Sequence, residues 1–216
     1  MWHFGINSNM NFPAPVAALG FMAAFAGTAL SVCALAAALF VRKAQIAMLT
    51  LIVVACAATV YFGLLFGFSL GSRDNLLAKG EEKYFCEMDC HLAYSILDVK
   101  TEPAPASMRY LVTLRTRFDE TTTSSHRPKD APLTPGPRTI QLLDAQGTQY
   151  PLDSTAGTSL SASLIPGQSY TTQLAFQVPS DAKGLRLLIR STPQWPDHVI
   201  IGDENSWLHH KTYFSL

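Results

Sequence analysis

The first third of this 216-residue chain has almost no charge. No Asp or Glu precedes Asp74, and Arg42 and Lys43 are the only Lys or Arg residues before Arg73. All 16 acids and all but two of the 16 bases therefore lie in the remainder, and the net charge of zero combines two different regions. Nucleic-acid binding requires clustered Lys and Arg, so this balance gives no indication of a nucleic-acid partner.

Two stretches, residues 14–41 and 46–71, contain no Asp, Glu, Lys, Arg or His. Each exceeds the roughly 20 residues that cross a hydrocarbon core of about 30 Å. We therefore predict two transmembrane helices, joined by a short loop at residues 42–45. A cleaved signal peptide is not expected, because no basic segment precedes the first stretch and its apolar run is too long.

The position of the bases predicts the orientation of this helical hairpin. Short loops that carry Lys and Arg stay in the cytoplasm, and Arg42 and Lys43 lie in the connecting loop. The N-terminal tail, residues 1–13, and everything after residue 71 are then expected outside, with the chain in a bacterial inner (plasma) membrane. Since neither stretch holds an intramembrane acid, base or His, an ion path or transporter is not expected.

Small residues repeat at four-residue spacing along both stretches: Ala23, Gly27 and Ser31 in the first, and Gly63, Gly67 and Gly71 in the second. Such spacing lets helix backbones approach closely in lipid. The two helices could pack on each other through these residues, or the residues could meet a protein partner in the membrane. Gly63 and Gly67 are the candidate partner contacts.

Beyond a polar linker at residues 72–82, the sequence alternates with period two. In residues 110–118 one face is mostly apolar and the other carries Arg and Thr, which is typical of a half-buried strand. Further strands are predicted at residues 91–99, 138–143, 149–152, 170–178, 185–190, 199–201 and 211–216. Seven or eight such strands, with no convincing helix, predict an antiparallel β-sandwich domain at residues 83–216. The Thr-, Ser- and Pro-rich segment 120–137 is expected to be a flexible connector.

One part of this domain resembles a known family. A Pro-Gly turn at residues 166–167, a strand that ends in Phe-Gln-Val-Pro at residues 176–179, and an apolar strand that begins near Leu185 are similar to the penultimate hairpin of bacterial DUF4352-type immunoglobulin-like domains. The resemblance implies an immunoglobulin-like, extracytoplasmic domain, often tethered by membrane segments and mostly without assigned activity.

The most unusual local sequence is Cys-x3-Cys-His, formed by Cys86, Cys90 and His91. Outside the membrane, two such cysteines are expected to form a disulfide, because the compartment is oxidising. The alternative is a copper or zinc site on Cys86, Cys90 and His91, with a fourth ligand such as His209. Covalent haem is a further alternative, since the motif resembles a lengthened Cys-x2-Cys-His.

Two other families share parts of this pattern. A helical hairpin followed by a β-sandwich is similar to subunit II of haem-copper oxidases, whose copper loop also contains Cys-x3-Cys. That loop continues with His and Met where this chain has Tyr94 and Leu97, so none of its ligands is carried over. Sco-like proteins use Cys-x3-Cys on a fold that needs βαβ alternation, which is not found here.

A second polar patch lies near the C-terminus. Asp203, Glu204 and Asn205 could offer oxygen ligands to calcium, but their spacing is not that of an EF-hand. We expect a solvated turn, with Trp207 as its anchor on the sandwich or as a partner contact. No nucleophile elbow, metalloprotease helix or phosphate loop is found, so the sequence predicts a non-catalytic accessory protein without a cofactor. The alternative is a metal or redox protein built on Cys86, Cys90 and His91.

Overall fold

The computed structural model describes residues 7–86, 90–105, 107–123 and 127–216. Two long helices come first, α1 (Ala14–Phe40) and α2 (Ala44–Gly71), joined by a three-residue turn. Both are long and apolar enough to cross a membrane, and only 6% of each helix's most apolar window is buried within the chain. The predicted pair of apolar helices is therefore confirmed.

The two helices contact each other along a seam at three- and four-residue spacing. The more buried residues are Ala17, Phe21, Ala24, Ser31, Leu35 and Ala38 on α1, and Ala47, Thr50, Val54, Ala58, Tyr61 and Leu65 on α2. Of the small residues predicted to form the helix contact, only Ser31 lies on this seam. A methyl group added at Gly27, Gly63 or Gly67 would meet no atom within 4 Å, because these glycines are exposed and lie outside the seam.

In the described part of the chain, ten strands follow the helices: β1 (Asn75–Leu77), β2 (Lys83–Phe85), β3 (Leu92–Ala104), β4 (Ser107–Phe118), β5 (Arg138–Leu143), β6 (Gln149–Pro151), β7 (Ser154–Gly157), β8 (Ser169–Pro179), β9 (Arg186–Ser191) and β10 (Thr212–Ser215). They form two five-stranded sheets, ordered β1-β10-β9-β5-β6 and β2-β3-β4-β8-β7. All pairs are antiparallel except β1 with β10. The predicted β-sandwich is confirmed, with more strands than the seven or eight expected.

The core lies between the two sheets and follows the predicted alternation. On β4, Val112, Leu114, Thr116 and Phe118 are buried, while the residues that alternate with them are partly exposed. Leu187 on β9 and Phe214 on β10 meet them from the other sheet in the same apolar cluster. Period-two alternation therefore located the inward face of the long strands correctly.

Four details differ from the sequence predictions. The expected linker, 72–82, contributes β1, which pairs with the last strand of the chain. The predicted strand at 199–201 overlaps a short 3-10 turn, Asp197–Val199, instead. The predicted hairpin after the Pro-Gly turn is not a hairpin, because β8 and β9 lie in different sheets. The segment 120–137 was expected to be a flexible connector, and its residues 124–126 lie outside the described part. Within the rest of it, Leu133 forms an isolated antiparallel β-bridge with Leu164.

Candidate functional site

The N-terminal tail is built into the β domain. Ser8 pairs with Tyr84 on β2 in parallel, and Met10 pairs with Asp203 in antiparallel fashion. The Tyr84 N–H donates to the Asn7 carbonyl at 2.7 Å, and the Glu204 N–H donates to the Asn9 carbonyl at 2.8 Å. The tail therefore lies between β2 and the segment 202–206. We call residues 7–11, 83–86 and 202–206 the junction.

Asn9 fixes the tail through its side chain. Its Oδ1 accepts from the Cys86 N–H at 2.7 Å, and its Nδ2 donates to the Cys86 carbonyl at 3.4 Å. Asn9 is buried, so its amide replaces water for both backbone groups of Cys86. Nearby, Gly202 adopts φ 77°, and a Cβ there would overlap Phe12, so only glycine fits this close approach.

Lys83 forms a buried ion pair at the junction and also joins the two sheets. The Lys83 Nζ on β2 lies 2.8 Å from Glu204 Oε2, with side-chain exposures of 0% and 2%. The ammonium also donates to the carbonyls of Ile189, at 2.6 Å, and Thr212, at 3.1 Å. Burial lowers the pKa of Lys83, and the nearby Glu204 carboxylate partly offsets that effect. Every ammonium proton therefore has an acceptor, as a buried charge requires.

Asp203 lies beside this pair and lines a cleft. Burial raises its pKa to about 7, although the Asn205 N–H donates to Asp203 Oδ1 at 2.6 Å. The cleft has a volume of about 220 Å³ and lies between the first turns of α1 and the domain. Its walls include Ala14, Ala18, Cys86 and Arg138. The expected solvated turn at 203–205 is therefore wrong: Asp203, Glu204 and Asn205 are all buried, because the tail covers them.

A second charged cluster lies on the outer face of the sheet that contains β2 and β4. Arg117 forms two hydrogen bonds to Glu82, at 2.6 and 2.9 Å, and one to Asp119 at 3.0 Å. The Arg117 guanidinium lowers the pKa of Glu82. Burial acts to raise the pKa of Asp119, but hydrogen bonds from Tyr84, Thr121 and Arg117 outweigh it and the pKa is lowered. These contacts tie the junction strand β2 to β4, and each charged group in the cluster has a partner of opposite charge.

The predicted disulfide is present, since Cys86 is bonded to Cys90. His91 is buried, stacks on Phe118, and places Nδ1 2.7 Å from Thr122 Oγ1. His209 contacts the His210 carbonyl through Nδ1. Among the described residues, no three His, Cys, Asp or Glu side chains come together in a group that could hold a metal. The structure therefore does not bring Cys86, Cys90, His91 and His209 together as a metal site.

The predicted partner contacts lie on open surfaces. Gly63 and Gly67 face away from α1, with no atom near enough to touch an added methyl group. Trp207, the expected anchor of its turn or partner contact, is 46% exposed. Its N–H donates to the His198 carbonyl at 3.2 Å, and this backbone contact leaves the indole at the surface.

Comparisons with known proteins add one distant likeness. No family model and no curated protein matches this chain. Among solved structures, MPT63, a secreted protein from Mycobacterium tuberculosis, is similar with a TM-score of 0.40 and 12% sequence identity. The alignment covers 68% of this chain and 100% of that protein. The β-sandwich assignment stands on the two sheets described above.

Proposed function

We propose that this chain is a membrane-anchored, extracytoplasmic β-sandwich that acts as a non-catalytic accessory subunit of a membrane complex. The observation that carries the proposal is the junction. The tail before α1 and the domain after α2 are hydrogen-bonded to each other, so both ends of the helical hairpin lie on one side. This arrangement suits a domain held in a fixed position above a membrane.

The side of the membrane is inferred from two features. Arg42 and Lys43 lie at the opposite end of the hairpin, where a short basic loop favours the cytoplasm. The Cys86–Cys90 disulfide lies in the domain, and disulfides persist in oxidising compartments. Both features favour an inner-membrane protein whose domain lies outside the cytoplasm.

Labelling of introduced cysteines tests this topology. In a Cys33→Ala/Cys56→Ala background, Ser180→Cys places a thiol on the exposed end of the domain, and Gln45→Cys places one at the helical turn. We expect a membrane-impermeant maleimide to label Ser180→Cys in intact bacterial cells, and Gln45→Cys only after permeabilisation. The reverse pattern would place the domain in the cytoplasm and overturn the proposal.

The non-catalytic, cofactor-free part of the proposal is supported by how the unusual groups are used. Lys83, Glu204 and Asn9 are each committed to contacts that hold the junction together. A metal or redox role would need the Cys86 and Cys90 sulfurs to be released from their disulfide. Mass spectrometry of the purified native chain tests this point, and we expect the mass of the disulfide-bonded chain. A mass gain equal to haem would contradict the proposal, as would copper that the parent chain retains and Cys90→Ser loses.

The partner is proposed to be a protein in the same membrane. Gly63 and Gly67 leave an open strip on α2 where a second helix could approach closely. We expect Gly63→Leu/Gly67→Leu to shift the complex to a smaller size in native electrophoresis of gently solubilised membranes. The matched control is Ala29→Leu on an exposed face of α1, which should leave the size unchanged. Equal behaviour of the two variants would rule out this strip as the contact.

The family is proposed to be the DUF4352 type. The Pro-Gly turn does precede β8, β8 ends at Pro179, and an apolar strand follows soon after, as in the resembling sequence pattern. An experimentally determined member with the same strand order in both sheets would support this assignment, and one in which the two corresponding strands pair as a hairpin would contradict it.

A further inference from the structure

Exposed apolar side chains of the β domain concentrate in one segment. Among the described residues from 72 onward, five large apolar side chains are exposed, and three of them lie within residues 195–208. Trp195 is 72% exposed, Trp207 46% and Leu208 64%. Single exposed apolar residues are normal on a surface, whereas several close together mark an interaction site, so this segment is a candidate contact surface.

Hydrogen bonds hold the segment beside the outer end of α2. The Tyr61 hydroxyl donates to the Val199 carbonyl at 2.7 Å. Farther along, the His210 N–H donates to Ser72 Oγ at 2.9 Å. Tyr61 and Ser72 are separated by about three helical turns, or about 16 Å at 1.5 Å per residue. The segment therefore runs along the last three turns of the helix.

The length of α2 places this contact at a membrane boundary. A helix of 28 residues spans about 42 Å, which exceeds a hydrocarbon core of about 30 Å. Lys43, directly before α2, sets the inner limit, so the outer hydrocarbon boundary falls about 20 residues later, near Leu64. Tyr61 lies within one turn of that position. The domain segment bonded to Tyr61 therefore reaches the lipid headgroups.

The residue types and backbone of the segment fit that position. Trp and Tyr are enriched where hydrocarbon meets water, because their rings are apolar and their polar atoms remain hydrated. Leu208 adopts φ 63°, a conformation that favours glycine or asparagine. A turn that faces only water would be served better by those residues, whereas a leucine there presents an apolar side chain outward.

We propose that Trp195, Trp207 and Leu208 insert into the headgroup and acyl-chain boundary of the outer leaflet, beside α2. The segment 195–208 is then a third membrane contact, in addition to the two helices, and it fixes the tilt of the domain on the bilayer. The inference rests on the proposed function, since the bilayer can be the occupant only if the helices span it. Continuity with α2 through Tyr61 is what favours lipid over a protein partner.

Fluorescence of the full chain in vesicles tests the inference. The sequence contains three tryptophans, so Trp2→Phe leaves Trp195 and Trp207 as the emitters, and adding Trp195→Phe or Trp207→Phe isolates each one. The chain is reconstituted into phosphatidylcholine and phosphatidylglycerol vesicles, with or without lipid brominated near the headgroup end of the acyl chain. We expect blue-shifted emission that the brominated lipid quenches by at least about half.

A matched control carries its only tryptophan far from the bilayer. Lys100→Trp, in a background with Trp2, Trp195 and Trp207 all changed to Phe, lies on the part of β3 that leads away from the junction. Its emission should be unaffected by brominated lipid. Emission from Trp195 and Trp207 that is equally unaffected would overturn the inference and favour a protein contact at this segment.

Flotation separates failure of this inference from failure of the proposed function. If the chain floats with vesicles after alkaline extraction but its tryptophans are not quenched, the third membrane contact is wrong and the proposed membrane anchor stands. A chain that does not float lacks membrane-spanning helices, and both proposals are then wrong.

Discussion

The helices and the β domain bury opposite kinds of side chain. Along α1 and α2, residues such as Phe25, Leu30 and Leu49 are exposed while small residues such as Ala38 and Ser69 are buried. In the β domain most large apolar residues are buried instead. One charged pair, Lys83 and Glu204, is buried with them. The helices thus have the exposed apolar surface that the proposed membrane anchor requires, whereas the domain has the buried apolar core of a fold that faces water.

The contrast is sharpest where the regions meet. At the junction, Asn9 and Glu204 are buried, and they satisfy backbone and charged groups. In such surroundings each hydrogen bond is costly to lose, because an unpaired polar group stays desolvated. We therefore expect the largest mutational effects at the junction and the smallest at exposed sites of either region.

The largest effect is expected for Lys83→Met. Removing the ammonium leaves the Glu204 carboxylate buried without its partner, which typically costs about 3–5 kcal/mol. Chemical unfolding of the purified chain in detergent, followed by near-UV circular dichroism, measures the loss. The double variant Lys83→Met/Glu204→Met should recover most of it, because no charge then remains unpaired. A double variant as unstable as Lys83→Met would show that the pair itself, and not the orphaned charge, matters.

The second expected effect depends on pH through Asp203. Its folded pKa is raised to about 7 by burial, whereas in the unfolded chain it should titrate near its ordinary value of about 4. The folded protein therefore holds the proton more tightly, and the stability this gives is fully present below about pH 4 and lost as the pH rises through about 7.

Asp203→Asn isolates that contribution. The amide keeps an oxygen to accept from the Asn205 N–H but has no proton to lose. Between about pH 4 and pH 7, the parent's unfolding free energy should fall relative to the variant's by up to about 1.4 kcal/mol per pH unit. The readout is the pH dependence of the unfolding free energy of both proteins. Parallel curves would mean that Asp203 is not held protonated in the fold.

The sequence predicted features that depend on neighbouring residues. Hydrophobic length located α1 and α2, and alternation located the inward face of β4, because both patterns repeat within a few residues. Lys83 and Glu204 are 121 residues apart, and Asn9 and Cys86 are 77 apart, so only folding brings them together. A lysine directly before two aromatic residues, Lys83 to Phe85, was the available local signal. The burial that makes its charge need a partner is visible only in the fold.

The disulfide should have an intermediate effect. Cys86→Ser/Cys90→Ser releases a loop of only a few residues, for which chain entropy gives a loss of about 2 kcal/mol. Cys33→Ala/Cys56→Ala is the matched control in the helices, where both thiols are free and exposed, and it should leave the unfolding free energy unchanged. A control as destabilised as the disulfide variant would mean that the helices also depend on their cysteines for packing.

The smallest effect is expected for Lys79→Met, which removes an ion pair with nearly the same distance between its charges as the buried one. Lys79 Nζ lies 3.0 Å from Asp98, but the two side chains are 58% and 44% exposed. A hydrogen bond from Lys79 lowers the pKa of Asp98, yet water solvates both ions equally well once they separate. We therefore expect an unfolding midpoint indistinguishable from that of the parent chain under the same conditions as for Lys83→Met. A loss comparable to that of Lys83→Met would show that distance between the charges, and not their burial, sets the strength of an ion pair in this protein.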